Sequence, residues 1–201
     1  MPDGSRAAPA AGHGLVNLPN AITFARLCAV PVAVWLVLHA SFLWAFWLFV
    51  AAGLSDAVDG WLARRRGITH LGAMMDPVAD KALLVSMYVT LAAANVLPDW
   101  LAILVVFRDA VIVGGVVALS LTGHKVAIKP LRISRLNTAL QILLVAVTLF
   151  FVGHGMVGHA FAGAMNLERL ADAAWILLVW LVAASTLLSG AAYVWQTARS
   201  P

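Results

Sequence analysis

Residues 42–94 read FLWAFWLFVAAGLSDAVDGWLARRRGITHLGAMMDPVADKALLVSMYVTLAAA. Two apolar runs converge on a polar centre that holds Asp56, Asp59, Asp76 and Asp80, with Arg64, Arg65 and Arg66 between the pairs. Each run is about 20 residues long, enough to cross roughly 30 Å of hydrocarbon as a helix. The alternation of apolar and polar residues that a membrane barrel needs is absent. The stretch therefore predicts two membrane helices, Phe42 to Ala63 and Ala73 to Ala94, joined as a hairpin with the carboxylates near its turn.

The rest of the chain extends the same pattern. Of 201 residues, 63% are hydrophobic and only 11% charged, against about 25% charged in an ordinary globular domain. Four further spans are expected: Ala21 to Leu38, Trp100 to Leu121, Leu136 to Val152 and Ala173 to Trp195. The expected fold is an all-α integral membrane protein, a six-transmembrane-helix bundle forming one domain over residues 15–201. Residues 1–14, rich in Pro, Gly and small residues, read as a flexible N-terminus without the apolar core of a signal peptide. From Leu15 to Arg26 the pattern is amphipathic, which suits an interfacial helix, with Leu18, Pro19 and Asn20 at the entry to the first span. Cys28, the single cysteine, lies in that span and forms no intrachain disulfide.

Basic residues are distributed unevenly. The short connections after Leu38 and Val96 carry no lysine or arginine, whereas Arg64 to Arg66, Lys125 to Arg135 and Arg199 cluster at the other ends of the spans. The positive-inside rule makes those segments, and both termini, cytoplasmic. The loop from Gly153 to Asp172 holds Arg169 alone, in keeping with the outer side. The formal net charge of +4 then reflects topology, and nucleic-acid binding is not implied.

A single aspartate near the centre of a membrane helix costs about 3 kcal/mol on insertion scales, so four uncompensated ones would cost roughly 10 kcal/mol or more. Asp56 and Asp59 are three residues apart, Asp76 and Asp80 four apart, so each pair shares a helix face. One or two hard divalent cations are the natural counter-charge. Gly60 and Ala63 leave space on the face of Asp56, and Gly72 does the same one turn before Asp76. Arg64, about one turn beyond Asp59, can set a guanidinium against phosphate oxygens. Pro77 is expected in the first turn of the third helix, where a missing amide hydrogen costs little.

Asp56, Asp59, Gly60, Ala63, Arg64, Gly72, Asp76 and Asp80 fill every position of the motif Asp-x-x-Asp-Gly-x-x-Ala-Arg, spacer, Gly-x-x-x-Asp-x-x-x-Asp. In this the chain resembles the CDP-alcohol phosphatidyltransferases. The spacer from Arg65 to Leu71 is one residue shorter than is usual there, a change confined to the turn. The resemblance implies six transmembrane helices, a homodimer, a bacterial inner membrane with the site at the cytoplasmic side, and Mg2+ or Mn2+ as cofactor. It implies CDP-diacylglycerol as donor, with Asp56, Asp59 and Asp76 as metal ligands and Asp80 as a further ligand or the catalytic base. Gly60, Ala63, Arg64 and Gly72 would line the CDP and pyrophosphate site with Asp56, Asp59 and Asp76.

The stretch Lys129-Pro130-Leu131-Arg132-Ile133-Ser134-Arg135-Leu136-Asn137-Thr138-Ala139 resembles the cardiolipin synthase branch, with Arg135 in place of a lysine. That implies phosphatidylglycerol as acceptor; a branch using glycerol 3-phosphate has a similar stretch. Lys129, Arg132 and Arg135 recur every three residues at the start of the fifth span, where charge and helix dipole both favour an anion such as an acceptor phosphate. A basic loop at an anionic membrane surface explains them too.

Arg108 is the remaining intramembrane cation of interest. Counted at about 1.5 Å per residue it lies roughly 20 Å from Gly123, deeper than the aspartates, and either acceptor contact or pairing with a carboxylate would suit it. Asp109 projects about 100° away on a helix and is not expected to pair with Arg108. Lys81 is expected to neutralise one of the four aspartates. His154 and His159 lie among glycines in the outer loop and suggest no site, and Trp44, Trp47, Trp61, Trp100 and Trp195 suit interfacial belts. A transporter would spread its carboxylates over depth and show repeated halves, neither of which is seen.

Overall fold

The computed structural model describes the backbone of residues 18–66, 70–121, 132–155 and 166–198, and the side chains of 24–55, 81–115, 133–155, 172–193 and Trp195. Among the described residues six helices form where six spans were expected: α1 (Leu18–Leu38), α2 (Phe42–Arg66), α3 (His70–Ala93), α4 (Asp99–Leu121), α5 (Arg132–Gly153) and α6 (Asn166–Ala198). Hydropathy placed the ends of α2, α3, α5 and α6 too far inward. The apolar pattern stops where polar residues begin, but Arg64 to Arg66, His70 to Gly72 and Arg132 to Arg135 continue the backbone hydrogen-bond ladder past that border. Helix α1 begins at Leu18 with Pro19 in its first turn, where the missing amide is harmless. From there it runs unbroken to Leu38, with no separate interfacial helix among the described residues.

Pro77 falls elsewhere than expected. Because α3 starts at His70, the proline lies about two turns in, at a position where an α-helix normally uses its amide to bond the carbonyl four residues back.

Among the described residues, two stretches are long and apolar enough to cross a membrane, Ile133–Gly153 and Asp172–Tyr193; Phe24–Leu38, Phe42–Ser55 and Lys81–Ala93 are shorter apolar helices. The outer face fits a membrane protein. Trp35, Trp44, Trp47, Ile103, Phe107, Leu177, Trp180 and Leu188 are all exposed, more large apolar surface than a water-soluble monomer tolerates. In lipid such side chains gain nothing by turning inward, so the helices are held by close packing and by hydrogen bonds instead.

Small residues supply the close packing. Ala33, Ala45, Ala52, Ala92, Ala102 and Ala183 are buried between helices. At Gly153 a Cβ would come within 2.9 Å of the Leu43 backbone nitrogen, so the end of α5 meets the start of α2 across a glycine. Two tight turns link the hairpins. In α1–α2 the Ser41 amide bonds Leu36 O at 2.8 Å, with Ala40 at φ 55°; in α3–α4 the Val96 amide bonds Leu91 O at 2.9 Å, with Asn95 at φ 56°. These are helix caps closed by a left-handed residue, which asparagine adopts more readily than alanine.

The contacts resolve into two four-helix rings that share α3 and α5. In the first, α1 packs on α2 and α3, and α5 packs on α2 and α3; in the second, α4 packs on α3 and α6, and α5 packs on α6 and α3. Tyr88, Met87, Leu91, Leu101, Val105, Leu144 and Leu149 fill the seam and the second ring. In the first ring the described side chains leave a cavity.

Candidate functional site

Asp56, Asp59, Gly60, Ala63 and Arg64 lie in the last turns of α2, and Gly72, Asp76 and Asp80 in the first turns of α3. All eight motif residues are thus helical, and the shortened spacer spans the junction of the two helices. Their side chains lie outside the described residues, as do Lys129, His159 and the side chains of Trp61 and Arg132. Among the described residues no three His, Cys, Asp or Glu side chains come together to hold a metal. The donor set itself is suitable: four carboxylates in pairs, on two helices that border one cavity, are the hard oxygen ligands that Mg2+ or Mn2+ prefers.

That cavity occupies the first ring and has a volume of about 590 Å³. Arg26 of α1, Phe49, Val50 and Gly53 of α2, Lys81 and Leu84 of α3, and Thr138, Ile142 and Ala146 of α5 contribute to its lining. Gly53 precedes Asp56 by three residues, about 4.5 Å along the helix axis, and Lys81 directly follows Asp80. The cavity therefore reaches within about one helical turn of both carboxylate pairs. Most of its described lining is apolar; Arg26 and Lys81 are the two charged residues in it. A Cβ added at Gly53 meets nothing within 4 Å, so the glycine opens onto free space.

The second ring contains a polar network centred on Arg108, which is 5% exposed. Its Nη1 donates to Asp109 Oδ1 at 2.8 Å, and its Nη2 donates to Ser134 Oγ of α5 at 2.8 Å and to Ser189 Oγ of α6 at 2.5 Å. Arg108 and Asp109 do pair, contrary to the expectation from helical projection. Their Cβ atoms diverge, but the arginine is long enough to fold back over its neighbour. The other carboxylate oxygen of Asp109 accepts from Lys81 Nζ at 2.5 Å. Lys81 thus pairs with a fifth aspartate, and that bond sets Asp109 level with the residue after Asp80. The depth count placed Arg108 further into the bilayer than the carboxylates; through Asp109 its network reaches Lys81, the residue after Asp80.

The segment after Lys129 divides between the rings. Ser134 binds Arg108, while Asn137 Oδ1 accepts from Ser185 at 2.8 Å and from Thr186 at 2.9 Å on α6. Gln141, one turn on, donates to Thr186, and Tyr88 donates to the Gln141 carbonyl. These residues tie α5 to its neighbours. Arg135 is exposed, and it stands three, seven and eleven residues before Thr138, Ile142 and Ala146. At helical periodicity it lies on the stripe of α5 that lines the cavity, one turn beyond its described wall. His154 is exposed and caps α5 through its own turn, its Nδ1 lying 2.8 Å from Phe150 O.

Sequence reasoning passed over Arg26 and Ser189, and it named Ser134 and Asn137 only within the Lys129-to-Ala139 stretch, without their contacts to α4 and α6. Arg26 had a usable signal, since a cation within an apolar run carries the same insertion cost that singled out the aspartates. Serines and an asparagine in a membrane helix are too cheap to stand out.

The profile of the family described as CDP-alcohol phosphatidyltransferase matches residues 16–184. The chain is 33% identical to the rice (Oryza sativa subsp. japonica) chloroplastic CDP-diacylglycerol–glycerol-3-phosphate 3-phosphatidyltransferase 1, over 89% of this chain and 56% of that protein. It is 29% identical to the human cardiolipin synthase (CMP-forming), over 87% of this chain and 59% of the relative. It is also 29% identical to the CDP-diacylglycerol–glycerol-3-phosphate 3-phosphatidyltransferase of Bacillus subtilis, over 89% of this chain and 94% of the relative. The chain thus spans somewhat over half the length of the rice and human relatives and nearly all of the bacterial one.

Proposed function

This chain belongs to the CDP-alcohol phosphatidyltransferase family, and from that footing we propose that it transfers the phosphatidyl group of CDP-diacylglycerol to phosphatidylglycerol, giving cardiolipin and CMP. A family match that encloses all eight motif residues, each on α2 or α3, supports the transferase reading, and the choice of phosphatidylglycerol rests on the stretch from Lys129 to Ala139. The six helices act as six spans of a homodimeric bundle, with the arginine-rich ends of α2 and α5 at the cytoplasmic face. A bacterial inner membrane is the setting, in keeping with the near full-length bacterial relative.

Asp56, Asp59 and Asp76 would hold Mg2+ or Mn2+, with Asp80 as a further ligand or as the base. The metal, when bound, neutralises the pyrophosphate and the departing CMP. Gly60 and Ala63 keep the face of α2 low enough for the nucleotide to approach, Gly72 does so on α3, and Arg64 pairs with the pyrophosphate oxygens. Asp80 takes the proton of the acceptor hydroxyl as its oxygen attacks the phosphatidyl phosphorus; the bond from that phosphorus to the bridging oxygen breaks, and CMP leaves. Arg135, with Lys129 and Arg132, draws the acceptor phosphate to the start of α5. Arg108, held by Asp109, Ser134 and Ser189, braces that segment from within.

A second reading, transfer to glycerol 3-phosphate, is favoured by the names of the rice and Bacillus subtilis relatives. The purified protein in detergent, given CDP-diacylglycerol, Mg2+ or Mn2+ and each labelled acceptor separately, decides between them. CMP release that needs phosphatidylglycerol is expected and should stop with a chelator. Transfer to glycerol 3-phosphate with none to phosphatidylglycerol selects the second reading, and no CMP release with any acceptor rejects both.

A further inference from the structure

We propose that Asp109 is a positioning residue of the transfer step: through Lys81 it fixes the turn of α3 that carries Asp80, and through Arg108 and Ser134 it fixes the start of α5. The inference rests on the transferase reading and deepens it, because it gives one buried carboxylate the task of aligning the metal-binding helix with the acceptor segment.

The packing creates the need. Among the described residues α3 packs on α1, α4 and α5, with α2 across the cavity from it. The two helices that carry the carboxylate pairs are therefore not set against each other by described contacts. Gly60, Ala63 and Gly72 keep the faces of those pairs small, which leaves little there to resist rotation of α3 about its axis. A carboxylate about 5 Å from the axis moves by about 2 Å when the helix turns by about 20°. A misplacement of about 1 Å costs roughly a hundredfold in rate. A fixed contact close to Asp80 thus bears on the chemistry as well as on stability.

Lys81 supplies that contact. It follows Asp80 directly, so a rotation that swings one carries the other through the same angle. Its Nζ donates to Asp109 Oδ2 at 2.5 Å, and among the described residues this is the polar contact of α3 nearest to Asp80. The next link from α3 to another helix, from the Tyr88 hydroxyl to the Gln141 carbonyl at 3.3 Å, lies about two turns further in. The anchor that receives Lys81 is itself held. The Asp109 side chain is buried, and its Oδ1 accepts from Arg108 Nη1, while Arg108 Nη2 donates to Ser134 on α5 and Ser189 on α6. Both carboxylate oxygens are bonded, and the bonds reach α3, α5 and α6. Ser134 immediately precedes Arg135, so the bonds that orient α3 also hold the start of the acceptor stretch.

The test compares Lys81→Met, Asp109→Asn and the double variant, each in the full chain. Lys81→Met keeps the Arg108–Asp109 pair, and it should lower kcat for CMP release about tenfold or more while the KM values for CDP-diacylglycerol and for the acceptor stay within about threefold. Asp109→Asn loosens both ends and should lose more. The double variant should lose no more than Asp109→Asn, because Lys81 acts through that carboxylate. Spin labels at Val89 and Leu136, both exposed, in a Cys28→Ser background read the separation of α3 and α5 without turnover, and each variant should broaden its distribution. Unchanged kcat in Lys81→Met, losses that multiply in the double variant, or lost activity with an unchanged distance distribution overturns the proposal. Where Asp109→Asn does not fold, Lys81→Met decides by kcat and distance together. Absence of CMP release from the unmodified chain rejects the transferase reading, and the distances then judge the tether by themselves.

Discussion

Replacing Asp109 by alanine would leave the Arg108 guanidinium buried with two hydroxyls and no counter-charge. The side chains of this pair are 5% and 8% exposed, and removing one partner of a buried ion pair costs about 3–5 kcal/mol. Lys81 bonds the same carboxylate, but its side chain is 38% exposed, so its contribution is discounted toward a surface pair, under about 1 kcal/mol. Ser189→Ala should fall between, since a hydrogen bond to a charged group is worth about 1.5–3 kcal/mol. The expected order of destabilisation is therefore Asp109→Ala, then Ser189→Ala, then Lys81→Met. Reversible unfolding in mixed micelles or bicelles measures each. A double variant, Asp109→Ala with Arg108→Met, should recover part of the loss, because it no longer buries a lone charge. The reasoning is refuted if Asp109→Ala costs no more than Lys81→Met, or if the double variant costs the full sum of the singles.

The other expectations concern the site and the packing. Alanine at Asp56, Asp59 or Asp76 should abolish transfer and weaken donor binding, measured by CMP release and by CDP-diacylglycerol titration; normal activity in any one removes that residue from the metal set. Asparagine at Asp80 should lower kcat more than donor affinity if the residue is chiefly the base, and equal losses would make it chiefly a ligand. Arg135→Ala should raise the requirement for phosphatidylglycerol with less change for CDP-diacylglycerol, in the same acceptor assay. Gly153→Ala should cost about 1–3 kcal/mol by overpacking against Leu43. Gly53→Ala, in open space, should be neutral or stabilising by up to about 1 kcal/mol through helix propensity.

What was legible in the sequence follows from what is expensive in a membrane. The apolar runs announced six helices, and the motif aspartates stood out because nothing cheap accounts for them. The helix ends did not show, since hydropathy registers the lipid border and the backbone ladder ignores it; hence α3 starts at His70 and Pro77 sits inside it. The pairing of Arg108 with Asp109 was hidden by a projection rule that describes Cβ directions and says little about a side chain with four rotatable bonds. The cavity could not be foreseen at all. It arises because α1 and α5 both pack between α2 and α3, and no pattern local to one helix encodes which two neighbours it touches.

Lys81 stands where the two rings meet. On one side it lines the cavity; on the other it bonds Asp109, and through it the Arg108 network that reaches α5 and α6. Its ammonium is therefore held at the boundary of the two rings by a carboxylate that the buried arginine fixes in place. The fixed partner matters for an empty site, because a lysine facing an apolar chamber without counter-charge would be costly. Asp109 accepts from both cations, Arg108 and Lys81, and so ties the two together. The network thus buries the arginine and leaves the lysine part-exposed at the cavity wall, with one carboxylate holding both.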